Sequence, residues 1–157
     1  MLWRLPRKQM QAGIGAGNRQ AMKAIFDDGQ VPGLIAWHEG IAVGWVQIDE
    51  RSAFPRLSTS RVLQPVDDQP VWSVSCFLVH KPFRHQGLSV ALLRAACDLA
   101  GARGAGMVEG YPVDPPKKNY APVYAWTGFL GAFREAGFVE TERRSPTRPI
   151  MRRQLDR

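Results

Sequence analysis

Apolar side chains recur along the chain with two different spacings, and these spacings predict the order of its secondary-structure elements. Apolar positions three and four residues apart predict helices, and β-branched or aromatic runs bounded by glycine and proline predict strands. In chain order, the predicted elements are a helix at 6–28, strands at 33–38 and 41–48, a polar loop at 49–70 with at most one short helix, a strand at 71–79, a helix at 87–101, a strand at 106–112, a loop at 113–120, a helix at 122–136, and closing strands at 138–144 and 148–155.

The alternation of these elements predicts the fold class. Strands separated by helices favour an α/β or α+β arrangement, with one mixed sheet and helices on its faces. The run VWSVSCFLV at 71–79 is apolar on both faces, which is typical of a central strand. No internal repeat or low-complexity segment interrupts the sequence, so we expect residues 1–157 to form a single domain.

Composition adds limits on the class of protein. Hydrophobic residues make up 45% of the chain and charged residues 22%, as in ordinary globular proteins. The longest apolar runs are shorter than the roughly 18 residues of a membrane span, and MLWRLPRKQM at the start is too charged for a signal peptide. Cys76 and Cys97 lie in apolar contexts, which predicts reduced, buried thiols and a cytoplasmic location.

The net charge of +7 favours an anionic ligand, either a nucleotide cofactor or a nucleic acid. Much of the positive charge lies near the end of the chain, where arginines alternating outward on a solvated edge are the simpler interpretation. That segment lacks aromatic residues interleaved with the basic ones, so nucleic-acid binding is the less favoured of these two interpretations. Its arginines are Arg143, Arg144, Arg148, Arg152, Arg153 and Arg157.

The stretch FRHQGLSVALLRAA at 83–96 carries the clearest chemical signal. It places the start of a helix directly after the central strand, without an acidic or hydroxyl cap. An uncapped helix start presents free N–H groups and the positive end of the helix dipole, which together bind phosphate. Gly87 allows a ligand to approach the backbone closely, and Lys81 and Arg84 add positive charge. A plain strand–turn–helix is the alternative interpretation of the same residues.

This strand, the R-x-x-G-x-S motif and the long helix resemble the signature of the Gcn5-related N-acetyltransferases. The strand GMVEGYPV and the helix FREAGF before a closing strand extend the resemblance over about 30–153, and they are similar to a bacterial subgroup of that family. The resemblance implies a mostly antiparallel mixed sheet that splays between strands 71–79 and 106–112. Ser89 stands where the family usually has Gly or Ala. The chain also looks short at its start, since a first strand and helix are expected there.

The resemblance further implies that acetyl-CoA is the co-substrate and lies in the splay. Backbone groups at the end of the central strand would contact pantetheine and the acetyl carbonyl, and one N–H would act as oxyanion donor. N–H groups of the loop and the helix start would hold the pyrophosphate. The implied cofactor-binding residues are Phe77, Leu78, Val79, Arg84, His85, Gln86, Gly87, Leu88 and Ser89.

The resemblance does not extend to the general acid. Where the family often has a tyrosine that acts as the acid, this chain has Phe133. Glu109 on the strand after the helix is the candidate base, with an outward-facing or salt-bridged glutamate as the alternative. Tyr124 is the favoured acid among three tyrosines near the acceptor side; Tyr111 and Tyr120 stay open. The histidines lack metal-ligand spacing, so no metal is expected.

The sequence therefore predicts an N-acetyltransferase that moves an acetyl group from acetyl-CoA directly to an amine of a small molecule or a protein. A domain that binds acyl-CoA without turnover is the alternative, given Phe133. No membrane partner is expected. The sequence does not identify the amine, and it leaves open whether the protein forms a homodimer.

Overall fold

The computed structural model describes residues 1–116 and 120–155. The loop residues Lys117, Lys118 and Asn119, and Asp156 and Arg157 of the arginine-rich segment, lie outside the described part. The helices are α1 (Arg7–Ala12), α2 (Ala16–Asp27), α3 (Pro55–Ser58), α4 (Leu88–Ala102) and α5 (Leu130–Glu135). The strands are β1 (Gly33–His38), β2 (Ile41–Glu50), β3 (Trp72–Val79), β4 (Met107–Gly110), β5 (Val139–Arg143) and β6 (Pro149–Gln154).

The six strands form one sheet in the order β1-β2-β3-β4-β6-β5. Only β3 and β4 pair in parallel; the other neighbours are antiparallel. Helix α4 makes the crossover that a parallel pair requires. The mixed, mostly antiparallel sheet with flanking helices confirms the predicted fold class, and β3 has a strand on each side, as its apolar faces predict.

The apolar positions of α4 cover one face of the sheet. Leu93 and Ala96 are fully buried against Val46, Val74 and Val108, and α5 joins the same core. The opposite face carries a second, smaller core. Its members are Phe54, Leu57, Leu63, Tyr111 and Ile150, with Trp3 packed against them.

Two predicted helices differ from the structure. The helix predicted at 6–28 is divided at residues 13–15, because Gly13 and Gly15 have poor helix propensity. Neither α1 nor α2 contributes a buried residue, and Phe26 remains 44% exposed on the face that helical spacing assigns to the core. The spacing identifies the helices, but their apolar stripe lies at the surface.

The helix predicted at 122–136 is a short 3₁₀ turn at Pro122–Tyr124, a non-helical segment at 125–129, and α5. This segment, here called the strap, turns at residues 126–127 and lies beside the end of β3. Its backbone groups bond to other parts of the chain instead of continuing a helix. Tertiary pairing therefore overrides the helical spacing of this stretch.

In the residues that the structure describes, no helix has both the length and the apolar character needed to cross a bilayer.

Candidate active site

The loop between β3 and α4 ends in an uncapped helix start. Gly87 is the N-cap of α4 with a φ of 78°, a left-handed conformation that glycine adopts without steric cost. No side chain caps the helix, and its first turn has no acidic residue. A Cβ at Gly87 would have no heavy atom within 4 Å, so the space in front of this turn is open.

The backbone donors of this turn are not used inside the protein. Within residues 1–116 and 120–155, the N–H groups of residues 85–89 donate to no main-chain acceptor. His85 has a φ of 60°, which is uncommon for a residue other than glycine. His85 and Gly87 are left-handed on either side of Gln86, and turns with such residues form the backbone concavities that bind anions in proteins.

Side chains of the loop fix its position. Arg84 Nε donates to the carbonyl of Val79 at 3.0 Å, and Gln86 Nε2 donates to the carbonyl of Pro82 at 2.7 Å. The first bond ties the loop to the end of β3. The structure thus brings the predicted residues 77–79 and 84–89 together at one end of this strand.

The gap beside β3 opens as the sequence predicts. Residues Trp72–Val74 pair with Val108–Gly110, and beyond that point β4 ends while β3 continues to Val79. On its other side, β3 carries a bulge where it pairs with β2 between Gln47 and Ile48. Along residues 75–79, the edge of β3 that does not pair with β2 therefore faces the gap, and the N–H of Phe77 lies on this edge.

The strap occupies part of this gap. The N–H of Phe77 donates to the carbonyl of Trp126 at 2.6 Å, so the donor faces away from β2. On the far side, the N–H of Val113 donates to the carbonyl of Gly128 at 2.8 Å. Arg148 Nη1 also donates to Thr127 Oγ1 at 2.8 Å. The strap therefore bridges β3 and the segment after β4.

Aromatic side chains lie behind the strap. Phe133 is fully buried, and its ring lies 6.0 Å from that of Phe77 and 5.0 Å from that of Phe138, between centroids. Gly128 has a φ of 93°, and a Cβ there would meet the ring of Phe133 at 2.8 Å. Position 133 is thus a core position that carries no hydroxyl.

Glu109 lies in a buried ion-pair network. Its side chain has no exposed surface, and it accepts hydrogen bonds from Arg51 Nη1 at 2.6 Å, Arg152 Nε at 2.8 Å and the Tyr111 hydroxyl at 2.7 Å. Arg152 also makes two bonds to Asp67. The carboxylate thereby holds the loop before β3 against the sheet.

The register of the sheet sets the distance from Glu109 to the loop. Glu109 lies opposite Ser73, four residues before Phe77 along β3, which corresponds to roughly 13 Å. A hydrogen-bonded path leads from this carboxylate toward β3, because the Tyr111 hydroxyl lies 2.8 Å from Ser73 Oγ. Burial and the nearby Glu109 charge raise the pKa of Tyr111 well above its ordinary value.

Tyr124 lies close to the gap in sequence and is accessible. It ends the 3₁₀ turn two residues before Trp126, and 63% of its surface is exposed. Its ring meets that of Tyr120 edge-on, with 6.1 Å between centroids. Its side chain is therefore accessible to a bound ligand. Tyr111 is fully buried, so its hydroxyl contacts only protein groups such as Ser73 and Glu109.

The cysteines keep their protons at neutral pH. Burial raises the pKa of Cys76, and it raises the pKa of Cys97 to about 11. Both thiols are free. Because the thiolate is the nucleophilic form, neither side chain is prepared for covalent catalysis.

Arginines near the end of the chain bond to the protein itself. Arg143 pairs with Asp114 and Glu140, Arg144 donates to the carbonyls of Gln64 and Pro65, Arg148 binds Thr127, Arg152 binds Glu109 and Asp67, and Arg153 donates to Ala136. Arg152 is only 6% exposed and points inward, so the expected outward alternation is wrong at this position. The bonds give the arginines a structural role.

Two surface clefts lie away from the loop after β3. The larger, about 400 Å³, lies between the end of β2, the start of β3 and residues 103–106. The smaller, about 350 Å³, lies where α4 ends beside the last residues of β6. Neither cleft includes a predicted site residue, so the anion-binding geometry of the loop is the stronger indicator of function.

The sequence interpretation missed the strap and the partners of Glu109. One signal for these partners was present. Arg152 lies two residues after the buried Ile150 in β6, so the two side chains lie on the same face of the strand. An arginine on the inward face of a strand requires a buried partner, and the glutamate of the adjacent predicted strand was available. The strap left no comparable signal.

Comparisons with known proteins agree with this architecture. A family model described as Acetyltransferase (GNAT) family matches residues 2–129. No curated protein matches the chain.

Solved structures with similar folds include acetyltransferases from several bacteria. The yncA protein of Salmonella typhimurium, a putative acetyltransferase with its cofactor acetyl-CoA, has a TM-score of 0.58 at 19% identity, with coverage of 91% of this chain and 75% of that one. A ribosomal-protein-alanine N-acetyltransferase from Brucella melitensis has a TM-score of 0.57 at 18% identity, covering 90% and 80%.

The GNAT domain of S. lividans PAT has a TM-score of 0.53 at 19% identity; the match covers 78% of this chain and spans 60% of that longer chain.

At these identities, the likeness concerns the fold. The family match covers most of the chain and includes the strand, loop and helix of the candidate site. The chain belongs to the acetyltransferase (GNAT) family.

Proposed function

We propose that this protein is an acetyl-CoA-dependent N-acetyltransferase that transfers the acetyl group directly to an amine. The observation that carries the proposal is the uncapped start of α4, where the N–H groups of residues 85–89 have no main-chain acceptor among the described residues and a Cβ at Gly87 would meet no heavy atom within 4 Å. In a chain of this family, such a turn is suited to the pyrophosphate of acetyl-CoA.

The residues of the loop fit that group chemically. Free N–H donors, a left-handed Gly87 and the absence of acidic side chains in the first turn all favour an anion. Lys81 is exposed beside them, and Arg84 is fixed at the end of β3. Residues 85–89 would hold the phosphates, and residues 77–79 would lie along the pantetheine. The acetyl thioester supplies the electrophilic carbonyl of the reaction.

Phe77 is our candidate oxyanion donor. Its N–H points into the gap beside β3, which is where a backbone donor can stabilise negative charge on a thioester oxygen. Because the carbonyl of Trp126 accepts this N–H in the structure, the strap has to withdraw before Phe77 can serve in this way.

The proton-transfer roles are assigned to two groups. Tyr124 is the candidate acid for the leaving thiolate, since its side chain is exposed and it directly precedes the strap in the chain. Glu109 is the candidate acceptor of the amine proton. It has no exposed surface, so it would act through Tyr111, Ser73 and water. Hydrogen bonds of 2.7 Å from Tyr111 to Glu109 and of 2.8 Å between Tyr111 and Ser73 form the inner part of this relay. Water would cover the distance of roughly 13 Å along β3 from Ser73 to Phe77.

An assay of free CoA thiol over a panel of amines tests the proposal, combined with calorimetric titration of acetyl-CoA. We expect binding of acetyl-CoA and release of CoA that depends on the amine. A protein that neither binds acetyl-CoA nor releases CoA would contradict the proposed function.

A domain that binds acyl-CoA without turnover is the second candidate. Two observations favour it: Phe133 lacks the hydroxyl that the family often has at this position, and the Phe77 N–H is already occupied by Trp126. Thermal stabilisation by acetyl-CoA without CoA release for any amine would support this alternative over the enzyme.

Replacing Tyr124 with phenylalanine should lower kcat by roughly 10²-fold or more, because an acid that protonates the leaving group contributes about that factor. The melting temperature should change little, since the side chain is 63% exposed. Tyr120→Phe is the matched control, because Tyr120 contacts the same ring. Equal kcat values for the two variants would remove Tyr124 from the mechanism.

A further inference from the structure

Residues 1–5, here called the latch, contact the strap through an aromatic pair. The ring of Trp3 lies 5.7 Å from that of Trp126 between centroids, with 36° between the ring planes, a separation at which aromatic side chains attract each other. The carbonyl of Trp126 accepts the Phe77 N–H at 2.6 Å. The side chain and the backbone of one strap residue therefore connect the latch to the candidate oxyanion donor.

An ion pair fixes the latch to β2. Arg4 Nη2 lies 2.7 Å from Asp49 Oδ2, and the two side chains are only 8% and 21% exposed. The Arg4 guanidinium also lies over the ring of Phe54, with 4.7 Å between its central carbon and the ring centroid. Because β2 is paired on both sides, this attachment point belongs to the rigid part of the sheet.

Helix α3 fixes the residue of the latch that contacts the strap. Arg56 Nη1 donates to the carbonyl of Leu2 at 2.6 Å, and the Arg56 N–H donates to the carbonyl of Trp3 at 3.3 Å. The Arg56 guanidinium carbon lies 5.8 Å from the centroid of the Trp3 ring. Leu57, the next residue of α3, is fully buried in the smaller core, and Trp3 packs against the same core. Groups outside the strap therefore set the position of the Trp3 ring.

The latch opposes movement of the strap in either direction. Under the proposed function, the Trp126 carbonyl has to leave the Phe77 N–H before this donor can face a thioester oxygen. A movement of Trp126 toward Trp3 meets a ring that Arg56 and the smaller core hold in place. A movement away from Trp3 breaks the aromatic pair. In both cases, the latch favours the strap position in which the Phe77 N–H is occupied.

We propose that the latch is an autoinhibitory element: Trp3 holds the strap on the Phe77 N–H, and the active conformation forms when the contact between Trp3 and Trp126 is released. The inference rests on the proposed function, because the Phe77 N–H acts as an oxyanion donor only in acetyl transfer. The contact suits a reversible switch, since Arg4 and Arg56 keep the latch attached to the protein when the aromatic pair separates.

Amide hydrogen exchange, followed by NMR without any ligand, measures how often the strap leaves Phe77. The Phe77 N–H exchanges when its bond to Trp126 opens. The His80 N–H donates to the carbonyl of Val43 at 2.9 Å, just beyond the end of the same strand, and reports a general loss of stability. We expect Trp3→Leu to raise the ratio of the Phe77 rate to the His80 rate roughly two- to tenfold, the range that one aromatic pair contributes.

Trp126→Leu removes the same contact from the strap and keeps the backbone carbonyl, so it should raise this ratio by a similar factor. The double variant should match either single variant, because the contact is lost only once. Trp37→Leu, at a residue 65% exposed on β1, controls for the loss of a tryptophan and should leave the ratio as in wild type. A wild-type ratio in Trp3→Leu or in Trp126→Leu overturns the latch, and so does an additive double variant.

Two ligands connect the latch to inhibition. S-ethyl-CoA has the phosphates and pantetheine of acetyl-CoA but a methylene group in place of the carbonyl, so it does not compete with the strap for the Phe77 N–H. By calorimetric titration, we expect Trp3→Leu to bind acetyl-CoA roughly two- to tenfold more tightly than wild type and to bind S-ethyl-CoA with an unchanged Kd. Faster exchange at Phe77 without tighter acetyl-CoA binding overturns the inhibitory role. A protein that binds neither ligand contradicts the proposed function, and the exchange ratio still decides whether the latch holds the strap.

Discussion

Acetyl-CoA should bind about a hundredfold more weakly to Gly87→Leu than to the wild-type protein. The side chain would project into the open space in front of the turn, where the anion has to approach the N–H groups of residues 85–89. Losing one or two hydrogen bonds to a charged group costs about 3 kcal/mol, which corresponds to that factor. Isothermal titration measures the change directly.

Gly104→Leu is the matched control for this experiment. Gly104 lies just beyond the other end of α4 with a φ of 84°, and a Cβ there also has no neighbour within 4 Å. Leucine should strain both positions by about 1–2 kcal/mol, so the two melting temperatures should fall similarly. Comparable acetyl-CoA affinities in the two variants would mean that the phosphate contacts lie elsewhere.

The second large effect concerns stability. Glu109→Gln should lower the free energy of unfolding by about 3–5 kcal/mol, because it removes the buried charge that Arg51 and Arg152 share and leaves Arg152 with Asp67 alone. The Arg51 and Arg152 side chains are only 13% and 7% exposed, so water cannot replace the lost partner. Such a loss is a large fraction of the roughly 5–15 kcal/mol that stabilises a typical domain. Urea denaturation followed by circular dichroism measures it.

Glu140→Gln is the comparison for the charge change alone. Glu140 pairs with Arg143 at 2.7 Å but remains 34% exposed, and its removal should cost less than about 1 kcal/mol. If both glutamine variants unfold at the same urea concentration, the network around Glu109 is not a stabilising element. Turnover per folded molecule, measured on the same samples, then shows whether Glu109 also acts in proton transfer.

The strand–loop–helix unit could be predicted from the sequence because local signals agree there. The apolar run of β3, the glycine at position 87 and the helical spacing after it all favour the same structure. The predicted helix at 87–101 and the observed α4, Leu88–Ala102, differ by one residue at each end. The role of Gly87 depends on backbone geometry, and local sequence is therefore enough to identify it.

The strap could not be predicted, because its conformation depends on residues far away in the chain. Trp126 bonds to Phe77, Thr127 to Arg148 and Gly128 to Val113. Locally, the same stretch has apolar positions compatible with one long helix. Long-range pairing of this kind leaves no periodic pattern.

The polar groups on the face opposite α4 were only partly predictable. The sequence identifies Glu109 as a charged residue within an apolar strand. Its partners Arg51 and Arg152 lie 58 and 43 positions away, so local sequence does not identify them. Arg4 likewise pairs with Asp49 of β2, which lies 45 positions away. Neither set is contiguous in sequence, so only the sheet register brings its members together.

The hydrogen bond between Phe77 and Trp126 has a consequence for competition between substrate and product. One N–H cannot serve the strap and a thioester oxygen at the same time. Free CoA has no carbonyl at its sulfur, so it can occupy the phosphate loop while this bond remains. Under the proposed function, acetyl-CoA binding includes the cost of displacing the strap and CoA binding does not. The strap would therefore strengthen product inhibition and make the rate sensitive to the ratio of acetyl-CoA to CoA.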